Sequence, residues 1–283
     1  MKTKIDTVST LLDALPFIKE FSGQTVVIKY GGSAQTSPRL KEQFAQDILL
    51  MYLVGIRPVI VHGGGRQITD MLDALQINTE FIHGQRVTTK EVMRIVEMVL
   101  SGEINKEIVS LLNFHGAKAI GISGKDAKLI TAVAKDFSKW GLTGEILEVK
   151  SEVIRNLLDE KFIPVIAPIA SSDELGHPGY NINADLAASY IAKSLKASKI
   201  IFLTDIVGVL DASKELLPTL TIEDIQELKS SSVIYGGMIP KVDACLEAVT
   251  GGVKKAHIID GRIEHSLLLE LFTSEGVGTQ ITL

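Results

Sequence analysis

At 283 residues, 46% hydrophobic and 22% charged, the chain has the makings of a packed core in one large or two fused lobes, which excludes extensive disorder. Its net charge of −5 excludes a general nucleic-acid binder, and its single cysteine, Cys245, excludes an intrachain disulfide. With no apolar run near the ~20 residues that a bilayer span needs, and no signal-like N-terminus, a soluble cytoplasmic protein is expected.

Residues 7–21 read as a helix, with Val8, Leu11, Leu12, Leu15 and Ile18 on one stripe. Asp6 or Thr7 can cap its start, and Pro16 predicts a bend or break. A strand at 26–29 then runs through Lys29-Tyr30 into Gly31-Gly32, and a helix follows at 40–54. The strand at 58–62 runs into Gly63-Gly64-Gly65, with a helix at 67–75 beyond. Both stretches have the form of a buried parallel strand whose carboxyl end meets glycines. That edge of an open α/β sheet is where ligands bind, and glycine there lets backbone N–H groups close on an anion.

A helix at 91–112 and a strand at 118–122 come next. Over 129–149 the period shortens, with Gly141 and Gly144 at turns, which predicts a small antiparallel hairpin at the rim. Helices at 153–159, 184–195 and 238–249 then alternate with strands at 164–167, 200–204 and 256–259. Alternation of this kind implies parallel strands joined by right-handed crossovers. The expected fold is α/β, an open, mainly parallel sheet sandwiched between helices, with an extra N-terminal helix. Residues 1–24 would form that helix, 25–195 a first lobe, and 196–283 a second lobe on the same sheet.

Neither a Walker P-loop nor a Gly-x-Gly-x-x-Gly fingerprint is present, which removes two common explanations of glycine turns in such a fold. Lys29 stands where a solvated strand end often carries a lysine, yet the adjacent glycines would put its ammonium and free N–H groups into one space. Gly63-Gly64-Gly65, a tight turn in isolation, becomes an anion-binding nest after an apolar strand and before a helix. Arg86, within Gly84-Gln85-Arg86-Val87-Thr88, is a surface residue or a bidentate carboxylate clamp. In Asn181-Ile182-Asn183-Ala184-Asp185, Asn183 can cap the next helix and Asp185 can complement its dipole. Equally, Asp185 can accept from two lysines while Asn181 binds substrate. The strand ending in Thr204-Asp205 suits a ribose or adenine pocket. Lys241, in the first turn of a helix, opposes the dipole there, and an anionic ligand would compensate.

Together these segments resemble the amino-acid kinase family, and within it the branch that phosphorylates N-acetyl-L-glutamate. The resemblance runs from Thr7 to Ile281 through six motifs in order: Ile28-Lys29-Tyr30-Gly31-Gly32, Val61-His62-Gly63-Gly64-Gly65, Arg86-Val87-Thr88, Asn181 to Asp185, Leu203-Thr204-Asp205 with Gly208-Val209-Leu210, and Gly237 to Lys241. Arg66 and His83 depart from the usual pattern beside the substrate loops. The resemblance implies a first lobe that binds the acyl-amino acid and a second that binds ATP. It implies that Lys29 and Lys241 stabilise the transferring phosphoryl group, that Asp185 orients both, and that Gly32 and Gly64 donate N–H bonds to it. Gly64, Gly65, Arg86 and Asn181 would hold the substrate. Asp205, Ile206, Val207, Gly208, Val209 and Leu210, with Val233, Ile234, Tyr235 and Met238, would line the nucleotide site.

A carboxylate nucleophile is ionised near neutral pH, so no general base is required, and Mg²⁺ carried by the nucleotide phosphates would complete the charge balance. A related kinase acting on an N-acylated aminoadipate is the alternative, since one methylene discriminates by only ~1–3 kcal/mol. The resemblance also implies inhibition by L-arginine at a site that includes His257, Glu270 and Gly276. It further implies a homohexamer, a trimer of dimers, interlaced by the first helix.

Overall fold

The computed structural model describes residues 2–82 and 84–283. Helix α1 (Lys2–Phe21) leads into β1 (Thr25–Tyr30), α2 (Pro38–Leu53), β2 (Arg57–His62) and α3 (Gly65–Ala74). The short strands β3 (Phe81–Ile82) and β4 (Gln85–Arg86) precede α4 (Lys90–Glu97), a π-helical stretch (Met98–Ile104) and α5 (Asn105–Phe114). Strand β5 (Ala119–Gly124) is followed by β6 (Ile130–Ala134), the single turn α6 (Phe137–Trp140) and β7 (Gly144–Val149). Then come α7 (Glu152–Asp159), β8 (Ile163–Ala170), β9 (Tyr180–Asn181) and α8 (Ala184–Leu195). The remainder comprises β10 (Lys199–Thr204), β11 (Thr219–Leu220), α9 (Ile222–Ser230), α10 (Met238–Thr250), β12 (Lys255–Asp260), α11 (Ser266–Phe272) and β13 (Thr279–Ile281).

The main sheet runs in the order β11-β13-β12-β10-β1-β2-β8-β5, with β9 antiparallel on β8. Its long strands are parallel, and β13 turns back antiparallel against β12. Strands read as apolar runs because both faces are covered: every residue of β8 and β10 is buried. Helices α2 and α5 pack on β2, β5 and β8, while α8 and α10 pack on β1, β10 and β12. The expected open, mainly parallel sheet between helices is what the chain forms, and β6 and β7 make the predicted antiparallel hairpin.

Several expectations need correction. Helix α1 begins at Lys2, so Asp6 and Thr7 lie inside it rather than capping it. It also continues through Pro16, because the Leu12 carbonyl that the proline leaves free sits on an exposed turn where solvent can satisfy it. The single helix expected over 91–112 is three segments, α4, the π stretch and α5. Helices α9 and α11 and strand β13 were not anticipated, being short and lacking a strong period. His83 lies outside the described residues. None of the described helices is long and apolar enough to cross a membrane.

Besides the pairing of β1 with β10, side-chain contacts tie the first half of the chain to the second. Asp47, buried on α2, lies with Oδ1 2.6 Å from His265 Nδ1, just ahead of α11. Phe21, at the end of α1, is buried with Lys199 Nζ 5.0 Å over its ring. The apolar stripe of α1, in contrast, is left open, with Val8, Leu11, Leu12 and Leu15 all exposed.

Candidate active site

Lys29 is the penultimate residue of β1, and its side chain is nearly buried. Its Nζ lies 2.9 Å from Asp185 Oδ1, and Lys241 Nζ lies 3.5 Å from Oδ2 of the same carboxylate. One ammonium group comes from strand β1 and the other from helix α10. Burial by itself would push the Asp185 carboxyl up, but the charges of Lys29 and Lys241 outweigh it and hold the group below the usual range. Asp185 reaches this point because Asn183 caps α8: its Oδ1 accepts from Asp185 N at 2.9 Å and Leu186 N at 3.1 Å. Asn183 therefore has the capping role, while Asp185 meets both lysines. The compensation that Lys241 requires in the first turn of α10 comes from the Asp185 carboxylate.

Lys29 and Asp185 line a cavity of about 430 Å³, and Lys241, which is not part of that lining, completes a triplet with one net positive charge. Both glycine turns line the cavity, together with Arg86 and Asn181. Gly32 has φ of +68°, and a Cβ on it would fall 2.6 Å from Asp205 Oδ1. Gly64 sits against the π stretch, where a Cβ would fall 2.7 Å from Leu100 Cδ2. Any side chain at either position would collide with the cavity wall.

Arg86 is held on several sides. Its Nη2 donates to Gly65 O at 2.9 Å and Thr69 Oγ1 at 2.8 Å, and its guanidinium lies 4.6 Å over the Phe81 ring. Burial lowers its pKa, which Asp73 partly opposes, but an arginine remains charged at any physiological pH. At the rim the β6–β7 hairpin and strand β9 both hold the segment around β4: Thr143 Oγ1 donates to Arg86 O at 2.6 Å, and Asn181 Nδ2 donates to Thr88 Oγ1 at 3.1 Å.

The expected nucleotide residues are not gathered into this cavity. Asp205 alone among them lines it, and its carboxylate turns to the first glycine turn, accepting from Ser33 N at 2.7 Å. Val209 and Ile234 are core side chains, whereas Val207 and Tyr235 are exposed. Val209 N donates to Thr279 Oγ1 at 2.8 Å, which ties this loop to β13.

The expected effector residues do come together. His257, Glu270 and Gly276 line a second cavity of about 280 Å³, shared with Phe17, Glu20 and Phe21 of α1. Glu270 Oε1 lies 2.7 Å from His257 Nδ1 and 3.1 Å from Lys199 Nζ, while Oε2 accepts from Val277 N at 3.1 Å. Burial pushes the Glu270 carboxyl up, but the hydrogen bond from His257 and the Lys199 charge bring it down to about 2. Burial also lowers His257, which favours the neutral ring. Lys199 was overlooked in the sequence, although a lysine opening an otherwise apolar strand was the available signal.

Residues 24–260 match the Amino acid kinase family. The chain is 75% identical over 283 residues to "Acetylglutamate kinase" of Sulfurimonas denitrificans, covering 100% of both chains. It is 70% identical over 281 residues to the protein of the same name from Nitratiruptor sp., covering 99% of each. Among solved structures, N-acetylglutamate synthase from Neisseria gonorrhoeae, complexed with coenzyme A and N-acetyl-glutamate, superposes with a TM-score of 0.87 at 25% identity. That match covers 98% of this chain but 63% of the synthase chain. On the family match, on identity spanning the whole chain, and on a parallel sheet with paired glycine turns at its ligand edge, this chain belongs to the amino acid kinase family.

Proposed function

We propose that the chain is an acetylglutamate kinase, which transfers the γ-phosphoryl group of ATP to the side-chain carboxylate of N-acetyl-L-glutamate on the route to arginine. The observation that carries this reading is one buried carboxylate, Asp185, which pairs with both Lys29 and Lys241 and, with Lys29, lines a glycine-rich cavity. The substrate carboxylate oxygen forms a bond to the γ-phosphorus as the bond to the ADP oxygen breaks, giving an acyl phosphate and ADP. No proton is removed, because the nucleophile is already ionised. Catalysis is then positioning and charge neutralisation.

In this reading Lys29 and Lys241 meet the equatorial oxygens of the phosphoryl group, and Asp185 keeps both aimed. Gly32 and Gly64 offer backbone N–H groups to the same oxygens. Arg86 clamps the α-carboxylate of the substrate, with Gly64, Gly65 and Asn181 completing that subsite. The nucleotide lies toward 205–210 and 233–238 in the second lobe, with Mg²⁺ entering on its phosphates. Residues 25–195 and 196–283 then serve as the acyl-amino-acid and ATP lobes. Because the side chains of Val209 and Ile234 are internal, contact with ATP there falls to backbone groups.

The second cavity is the proposed arginine site. The effector guanidinium would meet Glu270 at Oε2, the oxygen that accepts from the Val277 N–H. The exposed apolar stripe of α1 would pack between dimers to form a hexamer. The test is ATP consumption with N-acetyl-L-glutamate, trapping the acyl phosphate with hydroxylamine. Absence of hydroxamate, or faster turnover of an N-acylated aminoadipate, overturns the substrate assignment.

A further inference from the structure

His62 belongs to the second glycine turn, but its ring is fully buried and the chemistry above makes no use of it. Both ring nitrogens are engaged: Nδ1 lies 3.0 Å from Gly63 O, and Nε2 lies 3.2 Å from Asn105 Nδ2. The direction of these bonds follows from a third contact. Asn105 Nδ2 lies 2.9 Å from Val165 O, a carbonyl that can only accept, so the atom there is the amide nitrogen. Oδ1 of the same amide accepts from Lys106 Nζ at 2.9 Å. Asn105 Nδ2 also lies 3.4 Å from Ile122 O, but His62 Nε2 is nearer at 3.2 Å and takes its second hydrogen. Nε2 therefore accepts, and the ring proton sits on Nδ1, where it donates to the Gly63 carbonyl. Burial lowers the ring to about 4, against the Gly63 hydrogen bond and with help from the Lys106 charge, so the imidazole is neutral at physiological pH.

Asn105 is delivered by the π stretch, which ends at Ile104. That widened stretch presents consecutive residues to the turn. Ile104, with Leu100, walls off the Gly64 Cα, and Asn105 grips the His62 ring from behind. On the far side β5 makes room, since a Cβ on Gly121 would fall well inside contact with the Asn105 amide. Single π turns inside α-helices often occur at functional sites, and here the π turn sets the rear of a ligand loop.

We infer that Asn105 and His62 are positioning residues for the acyl-amino-acid subsite: a δ-protonated, uncharged imidazole fixes the direction of the Gly63 carbonyl and thereby the aim of the Gly64 and Gly65 N–H groups. The inference rests on the proposed substrate reading of the cavity. Two arms test it. In wild-type protein carrying ¹⁵N-labelled histidine, His62 shows a protonated Nδ1 and an unprotonated Nε2, with no titration between about pH 6 and 8. In kinetics, Asn105→Ala raises KM for N-acetyl-L-glutamate about tenfold, while KM for ATP stays within about twofold.

Asn105→Asp supplies a further readout. A carboxylate beside Nε2 favours the doubly protonated ring, so in that variant KM for the acyl-amino acid rises with pH as His62 loses its second proton. Lys106 is the charged neighbour that opposes this protonation. A proton on Nε2 in the wild type, an equal change in both KM values, or a flat pH profile for Asn105→Asp would overturn the assignment. If Asn105→Ala fails to fold, the tautomer of the wild-type ring decides the matter. That arm needs no substrate, so an enzyme inactive on N-acetyl-L-glutamate would sink the substrate reading and leave the histidine result independent.

Discussion

Lys29, Lys241 and Asp185 form a unit in which each cation is kept in place by a shared anion. In the proposed reaction both lysines meet the phosphoryl group most closely in the transition state. Lys29→Ala and Lys241→Ala are each expected to lower kcat by about 10²–10³ with a far smaller change in KM, the loss typical of a preorganised electrostatic donor. Steady-state kinetics on purified variants checks this, and near-normal turnover in either one removes the assignment. Arg86 is preorganised by Gly65, Thr69 and the Phe81 ring. Arg86→Lys keeps the charge but loses the planar fork, so KM for the acyl-amino acid should rise by about tenfold or more with KM for ATP unchanged. A fall in nucleotide affinity instead would move Arg86 to the other pocket.

At the scale of elements, α1 spends an exposed apolar stripe on solvent while its end, at Phe17 and Phe21, walls the second cavity. If the proposed arginine site and hexamer hold, a helix placed this way would couple assembly to effector binding. Deleting residues 1–22 should therefore lower the mass in solution below that of the full chain and remove sensitivity to arginine, while basal turnover persists. Light scattering and assays with and without arginine measure both, and a truncated hexamer that arginine still inhibits would rule out the coupling. The main parallel strands were legible because each is an apolar run bounded by turn residues, and the anion loops because glycine follows strand there. The helix at 91–112 was legible only as a period. Its π stretch depends on how Leu100 and Ile104 pack against Gly64, which no local pattern encodes. The ion triplet was partly legible, since Lys241 in a first turn called for a negative partner. Asp185 as the partner of Lys29 and Lys241 was named only through the family resemblance, because the dipole argument alone called for an anionic ligand.

At the scale of the whole molecule, the chain halves are joined by buried polar contacts whose charge state varies with pH. Burial raises Asp47 from 3.8 to about 6, and its pairing with His265 offsets this only in part. A carboxyl raised in the folded state contributes stability that is complete below its unfolded pKa and is lost as pH climbs through the folded value. Asp47→Asn retains an acceptor for His265 without the charge. It should therefore be more stable than wild type at pH 7, on the order of 1–3 kcal/mol, with the difference vanishing near pH 4. Thermal unfolding across that range reports it, and equal melting temperatures at pH 7 would refute it. The strand order holds one more implication, for biosynthesis. Strand β1 lies between β2 and β10, and its Ser198 contact joins residues 173 positions apart in sequence. At roughly 5–20 residues per second, a ribosome leaves one edge of this central strand uncovered for on the order of ten to thirty seconds. A nascent chain in that interval offers an open β edge to any neighbour, so its yield in the cell depends on what shields that edge before β10 emerges.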